Sequence, residues 1–266
     1  MATEPLTGRV AFVTGGARRI GRAIAIDLAR AGADVAISWH SSQNAAAQTV
    51  AEIASLGRRA VATQCDVRSE ASVRAAVAAV VAEFGRFDIL VNNAAIFGSA
   101  ALESLSLDQW DSVLDTNARG PFLVAREAFP HLRVARGRVI NIGSLGATHA
   151  WAGHAHYCAS KAALHMLSQA MAKAFAPDVS VNCVAPGWIE MPSGTEIIAP
   201  SDSPEPGVPR PSEARMGVEA ARFAAKTPMG RNGSAEEVAQ AVLFFATGPH
   251  FITGQTLAVD GGLGLV

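Results

Sequence analysis

Tyrosine is almost missing from this chain: its 266 residues contain one, Tyr157. Any chemistry that needs a phenol has a single candidate. Cysteine is nearly as scarce. Cys65, Cys158 and Cys183 make neither a Cys-x-x-Cys pair nor an even set, which excludes a disulfide scaffold and fits buried thiols in a reducing compartment. No apolar run approaches the roughly 20 residues that span a bilayer, and Met1 to Val10 lacks the apolar core of a secretory signal, so the cytoplasm is the expected location. An excess of one charge is absent too. The 22 basic and 23 acidic residues are interspersed, for a formal net charge of −1, and no basic tail or patch points to nucleic acid or a membrane surface. The expected partners are a small molecule and further copies of the chain.

What the sequence does have is apolar bulk in a regular rhythm. Half of the residues are apolar, and the length suits one α/β domain with a large core. Residues 10–14, 35–38, 60–63, 89–91, 138–142, 179–184 and 256–259 are short β-branched runs without the alternation of a half-exposed strand, and read as strands covered on both faces. Between them Ile20, Ile24 and Leu28 recur at helical spacing, as do Val73, Val77, Val80, Val81 and Phe84; residues 103–130, 156–175 and 234–247 also suit helices. Seven strands alternating with helices predict one domain, residues 1–266, built on a doubly wound parallel sheet. Seven of the 13 prolines lie from Pro186 to Pro211. A long loop after the sixth strand stands at the carboxyl edge, where open α/β sheets bind ligands, and predicts a substrate lid near residues 188–226.

The first strand runs into Thr14-Gly15-Gly16-Ala17-Arg18-Arg19-Ile20-Gly21 and then into a helix. Glycines allow a tight turn and close approach to a pyrophosphate, while the helix amides and dipole attract it. The second strand ends at Ser38-Trp39-His40-Ser41-Ser42, about twenty residues past Gly21, where an NAD site carries Asp or Glu for the ribose hydroxyls. No carboxylate stands there, and Asp34 lies at the other end of the strand. The guanidinium groups of Arg18 and Arg19 and the donors of His40, Ser41 and Ser42 suit a 2′-phosphate instead. NADPH is therefore the expected cofactor.

Tyr157 lies four residues before Lys161 and thirteen after Ser144. On a helix the first spacing puts the ammonium one turn from the phenol. A free phenol titrates near about 10, and bringing it to roughly 7 takes about 4 kcal/mol of preferential stabilisation of the phenolate, which nearby positive charge supplies. Ser144 can hold a carbonyl oxygen against the same phenol.

With the Gly-rich turn, Asn92-Asn93-Ala94-Ala95 after the fourth strand, Asn117, Ser144, Tyr157, Lys161 and Pro186-Gly187 all in order, the whole chain resembles the short-chain dehydrogenase/reductase family. The resemblance implies a Rossmann fold and a catalytic tetrad of Asn117, Ser144, Tyr157 and Lys161. It further implies that Asp66 and Val67 contact the adenine, that Asn93, Ala94 and Ala95 flank the cofactor, and that Pro186, Gly187 and Ile189 border the nicotinamide. A homotetramer or homodimer through the helices carrying Asn117 and Tyr157, and catalysis without a metal, are implied too. Arg19 occupies a glycine position of the pattern Thr-Gly-x-x-x-Gly-x-Gly. That variant resembles the pteridine reductase branch, whose members use NADPH, and Phe97 matches the place where that branch stacks a ring on the pterin. Those reductases carry Asp where this chain has Ser144. Met191 stands where the family often has Thr, with Ser193 and Thr195 as candidate replacements.

These residues together predict an NADPH-dependent reductase of a carbonyl or imine, reversible as an alcohol dehydrogenase. Hydride leaves the nicotinamide while Tyr157 donates a proton, and Ser144 orients the receiving atom and stabilises its charge. Lys161 lowers the phenol pKa and holds the nicotinamide ribose; Asn117 holds a water that links Lys161 to solvent. Phe97, Trp151 and Trp188 suit the walls of an apolar or aromatic pocket, and His149, His154 and His156 read as loop and helix-start residues. The substrate stays open among a pterin, a 3-oxoacyl thioester and a sugar or steroid alcohol. From another class, a catalytically silent NADP-sensing regulator is the alternative, against which the intact Ser, Tyr and Lys argue.

Overall fold

The β-branched runs form β1 (Val10–Val13), β2 (Asp34–Trp39), β3 (Ala60–Gln64), β4 (Ile89–Asn92), β5 (Arg138–Ile142), β6 (Ser180–Pro186) and β7 (Thr256–Val259). The computed structural model describes residues 4–190 and 213–266. All seven strands pair in parallel in one sheet, ordered β3-β2-β1-β4-β5-β6-β7. The chain winds outward from β1 to β3, returns to β4 beside β1, and winds the other way. This reversal opens a crevice at the carboxyl ends of β1 and β4.

The connecting helices are α1 (Arg19–Arg30), α2 (Gln43–Ser55), α3 (Glu70–Phe84), α4 (Leu107–Leu114), α5 (Gly120–Ala135), α6 (Ala155–Phe175), α7 (Glu213–Lys226) and α8 (Ala235–Thr247). On one face of the sheet, Ile24 and Leu28 of α1, Ile53 of α2 and Val242 and Phe245 of α8 share a core with Val13, Ile37 and Ile140. On the other, Val77 and Val80 of α3, Leu132 of α5 and Met171 of α6 share one with Phe12, Leu90 and Val181. Each large apolar side chain so buried contributes about 1.5–3 kcal/mol.

Three features depart from the sequence reading. The helix expected over residues 103–130 is two helices, α4 and α5, joined by a single π turn, Asp115–Arg119; a capping box of Ser106 and Gln109 starts α4. Coverage of both faces fails at the margins, because β7 is exposed along most of its length and β3 is only part-buried. Within the expected lid, the described residues include α7, while residues 191–212, with Met191, Ser193 and Thr195, lie outside the described part of the chain.

At the amino ends of the strands a buried carboxylate ties three segments together. Asp88 Oδ1 accepts from Arg9 at 2.8 Å and Arg86 at 2.6 Å, and Oδ2 from the Val10 amide at 2.9 Å and Arg86 Nε at 2.7 Å. Burial pushes its pKa up, but these donors outweigh burial and hold it below the usual carboxylate range.

Candidate active site

At the carboxyl end of β1 the chain turns on Gly15, whose φ is +62°. A carbon added there would lie 3.1 Å from the Ala94 Cα, and one on Gly21 would collide with the Gly15 carbonyl and with Asn93 Nδ2, so the start of α1 folds back closely onto the turn and leaves no room for a side chain at either position. Asn93 stitches the crevice shut from the β4 side. Its Nδ2 donates to the carbonyls of Thr14 (2.9 Å) and Gly15 (3.1 Å), while Thr14 Oγ1 accepts the amides of Asn93 and Ala94, both at 3.0 Å. Ala95 beyond them is exposed and Ile20 packs part-buried on the α1 side of the core.

Arg19 takes the left-handed conformation, φ +52°, which a glycine adopts freely and an arginine at a cost of about 1 kcal/mol. Burial, then the charge of Arg18, pushes the Arg19 pKa down. Two half-buried guanidinium groups crowded beside a side-chain-free loop fit a phosphate-rich dinucleotide. His40 and Ser41 lie exposed just past β2, and Ser42 precedes α2. One neighbour was not legible from β2 alone: Asp66, at the exit of β3, stands 3.8 Å from His40 Nε2. Its charge is matched by Arg68, whose Nε and Nη2 both donate to it at 2.9 Å, and that hydrogen bonding holds the Asp66 pKa low. Val67 is buried, and Gly120 of α5 passes close above it.

Across the crevice, Ser144 leaves β5 and opens a short 3-10 turn, Leu145–Ala147, its Oγ accepting from the Gly146 amide at 3.0 Å. Tyr157 and Lys161 stand one turn apart on α6, as the spacing predicts. The Ser144 hydroxyl faces the phenol and draws its pKa down against burial. Lys161 is buried; its Nζ donates to the Ile142 carbonyl at 2.8 Å and lies 5.8 Å from the centre of the Tyr157 ring. Burial pushes the lysine down to about 8. It also pushes the phenol up to about 12, against the opposing pull of Ser144. The direction corrects the expectation of a lowered phenol: in the protein alone, desolvation of Tyr157 outweighs the ammonium, which is itself desolvated and turned to a carbonyl.

Asn117 sits fully buried in the π turn, a helix irregularity that accumulates at functional sites. Its Oδ1 accepts the Ile96 amide at 2.8 Å, and its Nδ2 donates to the Ile96 carbonyl at 2.9 Å and to Ser160 Oγ at 3.0 Å. Both side-chain donors are thus committed to fixing the β4 exit against α6, so a water contact falls to the remaining lone pair or to the main chain. Around the phenol stand rings: Phe97 meets Tyr157 edge-on at 4.7 Å, Trp151 lies parallel to it at 6.1 Å, and His154 stacks on Phe97 at 4.5 Å. Phe97 is 46% exposed. Beyond β6, Trp188 stacks on Phe223 of α7 at 4.3 Å. Gly187 packs against Asp260, Pro186 is the last residue of β6, and Ile189 bridges to Gly233. Sequence reasoning missed His154 as a ring partner and Phe223; the helical spacing of α7 was the available signal for the latter.

A doubly wound sheet with a glycine turn at its crevice and a Ser-Tyr-Lys group facing it defines a dinucleotide-binding oxidoreductase. Residues 15–264 match the family described as Enoyl-(Acyl carrier protein) reductase, and the chain belongs to the short-chain dehydrogenase/reductase family. It is 36% identical over 262 residues to the 3-oxoacyl-[acyl-carrier-protein] reductase of Synechocystis sp., covering 97% of this chain and 98% of that one. With the hydroxynaphthalene reductase of Aspergillus fumigatus it shares 36% over 244 residues, 91% of this chain and 87% of the relative. A blue fluorescent protein from a metagenomic library, solved in complex with NADPH, superposes with a TM-score of 0.84 at 35% identity over 97% of this chain and 99% of that one.

Proposed function

We propose that the protein is an NADPH-dependent reductase of a planar aromatic carbonyl or cyclic imine, a pterin included. The observation that carries this reading is the juxtaposition of Ser144 and Tyr157 over the buried Lys161, walled by Phe97 and Trp151. Gly15, Ile20 and Gly21 with Asn93, Ala94 and Ala95 would hold the pyrophosphate side of the cofactor, Arg18, Arg19, His40, Ser41 and Ser42 its 2′-phosphate, and Asp66 and Val67 the adenine. Lys161 would hold the ribose, with Pro186, Gly187 and Ile189 beside the nicotinamide. When bound, that cofactor supplies the hydride.

The chain's own residues supply position and a proton. Tyr157 donates its proton to the substrate oxygen or nitrogen as charge develops there, and the Ser144 hydroxyl donates to the same atom. Lys161 reduces the cost of the phenolate that remains. A phenol pushed up to about 12 is protonated at neutral pH, the form reduction requires, so the reverse oxidation of an alcohol gains from alkaline solution. Asn117 fixes α6 through Ser160. Trp188 and Phe223 supply a second aromatic wall.

The NADPH preference is supported by the arginine pair and by the absence of an unmatched carboxylate at the end of β2. The related structure solved with NADPH and the hydroxynaphthalene reductase relative agree with the cofactor and the aromatic substrate in turn. A second reading, reduction of a 3-oxoacyl thioester, is favoured by the similarity to the Synechocystis enzyme. A silent sensor has no use for a proton donor. A homotetramer or homodimer in the cytoplasm, formed through α5 and α6, belongs to the same proposal and is supported by exposed Phe122 and Met166 on those helices.

The test is turnover, read as loss of NADPH or NADH absorbance, against a bicyclic aromatic ketone, a quinonoid dihydropterin, a 3-oxobutyryl thioester and a sugar ketone. The aromatic substrates with NADPH are expected to give the highest kcat/KM. A thioester faster by tenfold selects the second reading. Tight NADPH binding with no turnover of any substrate selects the sensor.

A further inference from the structure

One turn beyond Lys161 on α6, His165 touches the backbone that carries Ser144. The Ser144 amide donates to His165 Nε2 at 3.4 Å. A carbon built onto Gly143 would collide with that same nitrogen and come 2.7 Å from Cys183 Sγ. The imidazole therefore reaches the strand exit because residue 143 has no side chain. A ring nitrogen that accepts an N–H is the unprotonated one, which fixes His165 as the neutral Nδ1–H tautomer. The ring also lines a cavity of about 340 Å³ with Thr148, Met166, Gln169 and Thr256, between α6, the 145–147 turn and β7.

We propose that His165 is a positioning residue: by accepting the Ser144 amide it fixes the peptide joining residues 143 and 144, and through it the Ser144 hydroxyl that meets the Tyr157 phenol. The proposal rests on the reading of Ser144 as the group that orients the substrate atom. Tyr157, Lys161 and His165 follow one another at four-residue spacing, so α6 presents all three on one face. The surroundings keep the ring neutral. Lys161 brings positive charge from the same helix. Cys183, the titratable group facing it from β6, is pushed up to about 11 by burial and stays a thiol. The turn and β7 line the cavity with Leu145, Ala147, Thr148, Thr256 and Ala258, none of which titrates. Burial first, then the Lys161 charge, push the imidazole down to about 4. The acceptor is thus present throughout the neutral range and lost on strong acidification, when both ring nitrogens carry protons and Nε2–H faces the Ser144 N–H donor to donor.

Two variants separate this role from mere packing. His165→Gln places an amide oxygen near the position of Nε2, whereas His165→Met fills the volume without an acceptor of comparable strength. In saturating NADPH and aromatic ketone, the Met variant is expected to lose kcat by about five- to tenfold, the worth of one hydrogen bond, with NADPH affinity unchanged. The Gln variant is expected to keep at least about half of kcat and to lack the acid limb expected of the wild type as pH falls toward 4. Equal kcat in the Met and Gln variants, whether both low or both high, overturns the proposal. Nitrogen-15 spectra of the wild-type protein at neutral pH decide it without reference to any variant's turnover: the His165 signal, assigned by its loss in the Gln or the Met variant, must show a bare Nε2, and a protonated Nε2 refutes it. Ser144→Ala run alongside keeps two failures apart. Unaltered turnover there removes the Ser144 reading, whereas a dead Ser144→Ala beside equal Met and Gln variants removes the His165 proposal alone.

Discussion

At the scale of the residue, the phenol and one arginine carry the sharpest tests. Tyr157→Phe removes the proton and leaves the ring against Phe97 and Trp151, so turnover is expected to fall at least about a hundredfold, the lower end of what a positioned acid contributes, while titration finds NADPH affinity kept. Near-normal turnover would exclude the proton-donor role. Arg19→Gly removes a guanidinium and a left-handed arginine together, φ +52°. Affinity for NADPH is expected to drop more than for NADH, and the melting temperature to hold or rise, because glycine adopts that conformation without penalty. Equal losses for the two cofactors would place the arginine on the shared pyrophosphate instead. The left-handed conformation was not itself readable, but the motif was, since a chain with Arg at a glycine position must either distort the turn or hold the arginine as found here.

Among the elements, α7 escaped the sequence reading. It follows a proline-rich stretch in which no helical face stood out, yet Phe223 on it stacks with Trp188 at 4.3 Å and 14°. Phe223→Ala is expected to raise KM for the aromatic substrate severalfold and to leave the NADPH dissociation constant in place, as a wall acting on substrate alone requires. A parallel change in both constants would assign the stack to the cofactor site. The buried strands were legible because residues covered on two faces must be apolar and β-branched, and α1, α3, α6 and α8 because their inward residues recur at helical spacing. The Ala-rich α2 buries little besides Ala46, Thr49 and Ile53, which is too faint a stripe to read. The π turn at Asn117 is a matter of hydrogen-bond register, and residue types do not encode that directly. At the site, the glycine turn and the Ser-Tyr-Lys group were visible as spacing. The approach of Asp66 to His40 and the contact of His165 with Ser144 were not, because both arise only when separate strands and helices are laid side by side.

For the whole molecule, acid is the expected weak point, in two stages. His165 is pushed down to about 4 from an ordinary value of 6.5, so between those values the unfolded chain binds the extra proton and stability falls as pH falls. Asp88 is held below its ordinary carboxylate value; its contribution is complete above that value and lost as pH drops through the lower, folded one. Urea midpoints measured from pH 7 to 3 should show both stages, with the upper one absent in His165→Gln. Asp88→Asn should lower stability by about 2–4 kcal/mol at pH 7, since it strips the charge that Arg9 and Arg86 converge on; a loss under about 0.5 kcal/mol would mean the clamp is ornamental to the fold. That clamp sits at the amino ends of the same strands whose carboxyl ends border the candidate active site. From Asp88 to Asn93 the chain advances about 16 Å at roughly 3.3 Å per residue, farther than charge is felt in physiological salt. Substitutions selected at the mouth for a new substrate and substitutions selected at the floor for hardiness should therefore add in free energy to within about 0.5 kcal/mol, and a lineage can explore the one set without forfeiting the other.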